Sequence, residues 1–445
     1  MTLTFTRSDQ IRSWGRVVHA SHLVARPPFR DAIDASLALA RENGQAVMPY
    51  GAGRSYGDSA LNPDGALIDM RGLDRFIAFD AERGIVRVEA GLSLSTLIRF
   101  AIPRGLFPAT VPGTRHITIG GAIAHDVHGK NHHAAGTFGT HVPRLSLLRS
   151  DRGRLAVSAA QEGELHAATI GGMGLTGIIA DAEIALAGVP SAYIDCDFVP
   201  FGNLAQFFAL ADESAARFEH TVAWVDCTKT GDALGRGIFQ RANWSAEGGY
   251  TPHRDQTRFS LPFDAPGFAL NSWTLRLFNE AYYAFNRRKA GSRRMHYSAF
   301  FFPLDAIGQW NRLYGARGFY QYQCAVPMAV GEPAIRSMLE AIADSGEGSF
   351  LAVLKTFGTR PSPGMMSFPR PGVTLALDFR NRGAATLALL ARLDEIVAAA
   401  GGRLYAAKDG RMPAGLFKAG YPEWPRFAAL CDPSLSSSFW RRVMA

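Results

Sequence analysis

Charged residues are scarce in this chain of 445: they make up 19% of it, against 47% hydrophobic residues. That balance excludes a disordered or tail-like polyelectrolyte and describes an ordinary globular protein. Cysteine is scarcer still. Cys196, Cys227, Cys324 and Cys431 are the four present, widely scattered. With no C-x-x-C pair, neither a zinc site nor a disulfide framework is indicated, and reduced thiols in a cytoplasmic setting are expected. Long apolar runs are missing too. No stretch reaches the roughly 18 residues a spanning helix needs, and the N-terminal MTLTFTRSDQIRSWG has no apolar signal core, so neither a spanning helix nor a signal peptide is expected. Acidic residues are in deficit: 39 against 47 Lys and Arg give a formal charge of +8. Such a charge favours phosphates, nucleic acid or an anionic membrane surface without choosing among them.

Glycine, by contrast, is plentiful at 46 residues. The length makes two domains the default. Asp31 to Asn43 has apolar positions Ile33, Leu37 and Ala40 at helical spacing and Gly44 as its stop. A short strand from Gln45 to Pro49 runs into the loop Gly51-Ala52-Gly53-Arg54-Ser55-Tyr56-Gly57. The glycine spacing is G-x-G-x-x-x-G, and Pro63 and Gly65 precede a second strand rather than a helix. A Rossmann turn is thereby excluded, and a strand–loop–strand phosphate cradle of backbone amides is the better reading. Strands are expected at 67–70, 85–90, 144–150, 154–157 and 178–185. Helices are expected at 93–102, capped by Ser93 and ended by Pro103, and at 163–170. After about residue 190 aromatics become dense, and strands at 221–227, 320–326, 375–379 and 403–406 alternate with helices at 334–345 and 385–400. Ala242 to Arg294 reads as a long irregular excursion. The predicted organisation is a first domain over 1–190, a second over 191–407, and a tail, 408–445, that returns to the first.

The chemistry concentrates between Val111 and Gly139, VPGTRHITIGGAIAHDVHGKNHHAAGTFG, which holds six glycines and five of the twelve histidines. Small residues let a backbone lie against something flat or anionic. A metal site built from His125, His128, His132 and His133 is disfavoured. Gly129 and Asn131 weaken the helix that an i, i+4 pair requires, and no glutamate base is near; metal is therefore not expected. Three glycine loops, at 51–57, 113–121 and 171–177, each adjoin a strand of one domain. Together they point to one extended ligand with a pyrophosphate.

PYGAGRSYGDSALN, HDVHGKNHHAAGTFG, GGMGLTGII, WNRLYGARGFYQYQ and GGRLYAAKDGR resemble the vanillyl-alcohol-oxidase or PCMH-type FAD oxidoreductases. Within that group the resemblance is to polyprenylphosphoryl-ribose oxidases, the flavin halves of ribose-to-arabinose epimerases. It runs from about Ser13 to the C-terminus. It implies an α+β, two-domain PCMH-type FAD-binding fold whose substrate domain is an antiparallel sheet flanked by helices. Carried over by position, it implies that Gly51, Ala52, Gly53, Arg54, Ser55, Tyr56, Gly57, Asp58 and Ser59 cradle the pyrophosphate. Gly113, Thr118, Ile119, Gly120 and Gly121 would run along the ribityl chain and the pyrophosphate. His125, Val127 and His128 would pass under the isoalloxazine, Ile178 and Ile179 would contact the adenine half, and Tyr405 would close the site. Arg54 stands where many relatives attach FAD to a histidine, so noncovalent FAD is expected.

The same resemblance turns Lys408, which alone would read as a solvated surface lysine, toward flavin and substrate. Sugar alcohol oxidation needs a base for the hydroxyl proton. A desolvated Lys408 could be that base. Alternatively Lys408 orients the hydroxyl while Tyr56 or His128 relays the proton, because Asp409 next door favours the ammonium. The family pattern assigns Gln323, Lys355, Phe357 and Lys130 to the substrate pocket. Two family residues are replaced, an inhibitor-reactive cysteine by Ala376 and an asparagine by Thr374. Alternation puts both on one face of a strand. The cluster Arg287, Arg288, Lys289, Arg293 and Arg294 reads either as a solvated face or as attraction to lipid phosphates. No nucleic-acid motif accompanies it, so no nucleic acid is expected.

The resemblance implies FAD-dependent oxidation of the C2 hydroxyl of a polyprenylphosphoryl pentose (ribose) to the 2-keto sugar. A separate keto-reductase would complete the epimerisation for cell-envelope polysaccharide. A cytoplasmic enzyme, peripheral to the inner membrane, is expected. The alternatives are an oxidase of free sugars, alditols or aldonolactones on the same fold, and a flavin-free binder of lipid phosphates or nucleic acid.

Overall fold

The computed structural model describes residues 4–63, 65–255, 257, 259–267 and 270–445. Its first layer is a four-stranded sheet in the order Thr6–Ser8, His22–Ala25, Ala66–Asp69, Val47–Tyr50. The last three strands are parallel. The helix Ala32–Glu42 makes the crossover and buries Ile33, Leu37 and Ala40 against Val47 and Ile68. It ends at Gly44, whose φ of +66° admits the left-handed turn a side chain resists.

The second sheet runs Phe76–Asp80, Ile85–Glu89, Ile178–Gly188, Arg144–Arg149, Gly153–Ser158, with Leu106–Pro108 beside the far end of the long central strand. Alternation in Ile85–Glu89 places Val86 and Val88 in the core. Ser93 accepts a hydrogen bond from the Thr96 amide and starts the helix Leu94–Ala101.

The third sheet has eight strands, in the order Gly291–His296, Tyr193–Phe201, Gly237–Trp244, His220–Val225, Val353–Phe357, Gly372–Arg380, Phe319–Val326, Arg403–Leu404. Every recorded pairing in it is antiparallel. The helices Leu204–Ala215, Gly331–Asp344 and Ala384–Ala399 pack on it through one core that joins Phe207, Leu339 and Leu393 to Val225, Leu354 and Leu377. The whole is α+β.

The expected irregular excursion over 242–294 is corrected here. It contains the 17-residue helix Ser272–Arg288 and the edge strand Gly291–His296. Asn271 caps that helix, its side chain accepting from the Trp273 and Thr274 amides. Residues 256, 258, 268 and 269 of the excursion lie outside the described residues. The basic cluster is therefore split: Arg287 and Arg288 end the helix, while Arg293 and Arg294 lie on the strand.

The tail packs back on the first sheet. The Val47 amide donates to the Ser434 carbonyl and the Ser436 amide to the Val47 carbonyl. Arg442 holds the Asp58 and Asp409 carboxylates at 2.7 and 2.9 Å. Among the described residues no helix is long and apolar enough to cross a membrane.

Candidate active site

The face of the eight-stranded sheet opposite its helices closes, with the glycine loops, a cavity of about 1390 Å³. Ligand pockets usually hold about 300–1,000 Å³, so an extended cofactor and a second ligand can share this one. Register explains the floor. Trp224 pairs with Val353, Val353 with Ala376, and Ala376 with Gln323, so four neighbouring strands present side chains in one row. Lys355 and Thr374 form the next row.

The cradle expected at 51–59 is shorter than the sequence implies. The amides of Ala52, Gly53, Arg54 and Ser55 have no acceptor in the protein among the described residues, and all four residues line the cavity, as Gly51 does. Unpaired backbone donors on a concave surface are what a phosphate requires. Gly53 supplies the φ of +63° that the turn needs. Gly57, Asp58 and Ser59 do not line the cavity. A Cβ on Gly57 would run into the carbonyl of Asp409, Asp58 is taken by Arg442, and Ser59 is fully buried. That half of the loop docks the tail. Tyr56 lines the cavity with its ring, but its amide is spent on the Ala407 carbonyl.

A second correction concerns Thr118 to Gly121. Thr118, Gly120 and Gly121 do border the cavity, but as the start of a helix and not as a set of free donors. Thr118 caps a short helix, Ile119–Ala124, and accepts from the Gly121 amide. The Ile119 and Gly120 amides donate to the carbonyls of Leu92 and Ala90. The helix start thus has no donors left for an anion. Thr118, Gly120 and Gly121 offer the cavity only a smooth surface, and Ile119 is turned into the core. Gly113 lines the cavity, and a Cβ there would meet nothing within 4 Å of protein. Ile179 lines the cavity, whereas Ile178 packs with Val47, Ala66 and Leu148. Alternation along a strand allows only one of the two to face a ligand.

His125 and Val127 line the cavity. His125 Nε2 is 3.2 Å from Ser55 Oγ, and burial lowers the imidazole to about 4, so it is neutral. The Tyr405 hydroxyl donates to the His125 carbonyl at 2.9 Å, which fixes both at the cavity wall. Arg54 is held between the Trp14 ring, 4.0 Å from its guanidinium carbon, and the His116 carbonyl.

His128 is clamped. Its Nδ1 lies 2.8 Å from Lys355 Nζ, and its Nε2 lies 3.1 Å from Gln323 Nε2. Lys355 also donates to the Gly129 carbonyl at 2.8 Å, and Gln323 to Thr374 Oγ1 at 3.3 Å. Burial first, then the charge of Lys355, hold the His128 imidazole well below its usual range. Neutral and engaged at both nitrogens, His128 cannot relay a proton without breaking this clamp. Phe357 is corrected as well: it does not line the cavity but packs edge-on behind His128, ring centroids 5.0 Å apart. Lys130 lines the cavity, donates to the Phe300 carbonyl and lies 4.0 Å over the Phe300 ring. Of the remaining histidines, His132 is buried against Phe357 and His133 bonds the Phe218 carbonyl.

Lys408 is different. Its amine sits 4.1 Å from the centroid of the Tyr56 ring, faces the cavity and has no hydrogen-bond acceptor among the described residues. Burial lowers it to about 8, opposed by the nearby Asp378 carboxylate. Asp409 does not supply that opposition. Its carboxylate is turned to Arg442 and to the Arg411 and Met412 amides. Asp378 accepts from Gln321 at 2.6 Å and from the Tyr314 hydroxyl at 3.3 Å, and burial pushes its carboxyl up to about 7. Sequence reasoning missed Asp378. The signal was its place two residues beyond Ala376 on the same face of one strand. Tyr56, buried beside Asp378, keeps its phenol well above the usual value.

Comparison with known proteins agrees with this geometry. A family model described as an FAD binding domain matches residues 21–159. The chain is 38% identical over 461 aligned residues, 98% of each chain, to decaprenylphosphoryl-β-D-ribose oxidase of Mycolicibacterium smegmatis. It is 32% identical over 374 residues to an uncharacterized protein of Streptomyces coelicolor, covering 79% of this chain and all of that one. It is 29% identical over 173 residues, 38% of each chain, to L-gulonolactone oxidase of Mus musculus.

Proposed function

The chain belongs to the family of FAD-dependent oxidoreductases that includes decaprenylphosphoryl-β-D-ribose oxidase, and we propose that it oxidises the C2 hydroxyl of a polyprenylphosphoryl ribose to the 2-keto sugar. The unpaired amides of Ala52 to Ser55 and the open space at Gly113 fit a pyrophosphate cofactor. FAD, held noncovalently, supplies the acceptor for the hydride of the carbinol carbon.

The proton is left to this chain. The observation that carries the reading is the amine of Lys408, aimed into the cavity with no acceptor among the described residues and lowered to about 8. In its neutral form it takes the hydroxyl proton as the carbonyl forms. Asp378 then faces the new ammonium and stabilises it. The clamped His128, with Lys355 and Gln323, forms a fixed polar wall that orients the sugar. Lys130 and Arg293, both lining the cavity, provide the positive charge a substrate phosphate needs. Beyond them the lining turns apolar at Phe198, Trp224, Phe278 and Tyr282, which suits a prenyl chain.

A separate keto-reductase completes the epimerisation to arabinose for cell-envelope polysaccharide, and the enzyme works in the cytoplasm at the inner membrane. Anaerobic mixing of the yellow holoenzyme with a prenylphosphoryl ribose tests the reading. Rapid bleaching of the flavin bands is expected. Faster bleaching by free alditols or aldonolactones would transfer the assignment to the free-sugar oxidases.

A further inference from the structure

The helix Ser272–Arg288 is amphipathic in the reverse sense for a surface helix. Its inward side carries Asn279 and Asn286, both buried. Asn279 donates to Asp226 Oδ1 at 3.0 Å, and Asn286 to the Tyr282 carbonyl at 2.8 Å. Its outward side carries Trp273, Leu277 and Phe285, exposed by 80, 72 and 56%. At about 3.6 residues per turn these three fall on one side of the helix, together with Ala281 and Ala284. A soluble protein rarely leaves such a face bare without a use for it.

Two further facts say what covers it. The first is charge. Arg276, Arg287, Arg288 and Lys289 border the face, all are exposed, and none has an acidic partner among the described residues. The helix's single acid, Glu280, is already engaged by Lys229 at 2.9 Å and Arg236 at 2.6 Å. The second is position. Phe278 of the same helix both lines the active-site cavity and is 46% exposed, and Ile307, also lining it, is 40% exposed. The face therefore stands at the cavity mouth. A second copy packed on it symmetrically would set these cations against their own kind, and nucleic acid would leave the apolar residues unused.

We propose that the helix Ser272–Arg288 docks on an anionic lipid bilayer, seating Trp273, Leu277 and Phe285 in the interface and opening the cavity mouth to a polyprenyl chain drawn from that bilayer. Aromatic and aliphatic groups on one face with a cationic border are the chemistry of an interfacial helix. The delivery of a prenyl chain rests on the function proposed above; the docking does not.

The test uses the full-length holoenzyme and vesicles of phosphatidylcholine with or without phosphatidylglycerol. Sedimentation with the anionic vesicles is expected, at least about tenfold stronger than with the neutral ones and weakened by salt. Arg287→Ser with Arg288→Ser should weaken it by roughly fivefold per residue. Trp273→Glu with Leu277→Glu should abolish it, and brominated lipid should quench wild-type fluorescence more than that of Trp273→Phe. None of these four residues lines the cavity, so bleaching by a short, water-dispersed prenylphosphoryl ribose should be unchanged in every variant. Loss of that bleaching in the wild type with docking intact would sink the function and leave the docking. Equal binding to neutral and anionic vesicles, no binding, or a solution dimer dissolved by Trp273→Glu with Leu277→Glu would overturn the docking itself.

Discussion

Lys355 and His128 share a hydrogen bond of 2.8 Å between amine and Nδ1 at the cavity wall. The Gln323 amide nitrogen faces the other ring nitrogen. An imidazole that accepts from Gln323 at Nε2 carries its proton on Nδ1. Lys355 must then accept through an amine lone pair while donating to the Gly129 carbonyl. Burial, helped by Lys130 and Lys408, lowers Lys355 to about 7 and makes that neutral amine accessible.

A stability consequence follows from that value. Unfolded, a lysine titrates near 10.4. Between about 7 and 10.4 the unfolded chain holds a proton that the folded chain has shed, so this residue's contribution to stability rises with pH across that window. Below about 7 both states hold the proton, and the full penalty of the buried charge is in force. The melting temperature of Lys355→Met, relative to wild type, should therefore be most favourable below about pH 7 and should fall steadily toward pH 10. A difference that stays flat with pH would refute the lowered titration.

Lys408 should show its neutral amine in kinetics. The rate of flavin bleaching should rise with pH through about 8, the value to which burial brings the group. Lys408→Met should lose roughly 10²- to 10⁴-fold in that rate while retaining FAD. Lys408→Arg should not rescue it, because a guanidinium cannot give up its proton in this range. Stopped-flow reduction of the loaded enzyme across pH measures both. An unaltered profile in Lys408→Met would assign the proton to another group.

Two glycines separate packing from ligand space. A Cβ on Gly57 meets the Asp409 backbone, which is held to the tail. Gly57→Ala should cost about 1–3 kcal/mol by overpacking and slow bleaching as well, since Lys408 is the residue next to Asp409. A Cβ on Gly113 meets no protein. Gly113→Ala should leave the melting temperature of the FAD-free chain unchanged and weaken FAD binding. Calorimetry and flavin titration distinguish the two. Equal melting temperatures for Gly57→Ala and wild type would show that the tail yields.

What the sequence revealed depended on how local the cause was. The helix Leu94–Ala101 was legible because Ser93 caps it directly. The helix Ile119–Ala124 was not, because two of its six residues are glycines, and it forms through tertiary contacts: the Thr118 cap and Gly120 pressed against Ala90. The helix Ser272–Arg288 escaped notice because its asparagines point inward, so its apolar period marks no core. In the site, Gln323, Thr374 and Ala376 could be placed on strand faces by alternation. Asp378 and the tail's grip on Asp58 depend on strand register and long-range pairing, which no single stretch encodes.

Ala376 permits a last prediction from cysteine chemistry. The four native thiols are poor nucleophiles: burial pushes each of Cys196, Cys227, Cys324 and Cys431 up to about 12. Reactivity follows the thiolate, so the folded protein should resist a maleimide near pH 7. Ala376 lines the cavity on the strand row shared with Gln323 and Val353. A thiol placed there has room and shares the cavity with Lys408, which at about 8 is an ammonium near pH 7 and favours the thiolate. Ala376→Cys should therefore take up one maleimide per chain, by intact mass, and labelling should slow when FAD and substrate fill the cavity. Labelling of the wild type at the same rate would show that a native cysteine is reached instead. An inert Ala376→Cys that still binds FAD would mean that the floor of the cavity is closed to reagents from solution.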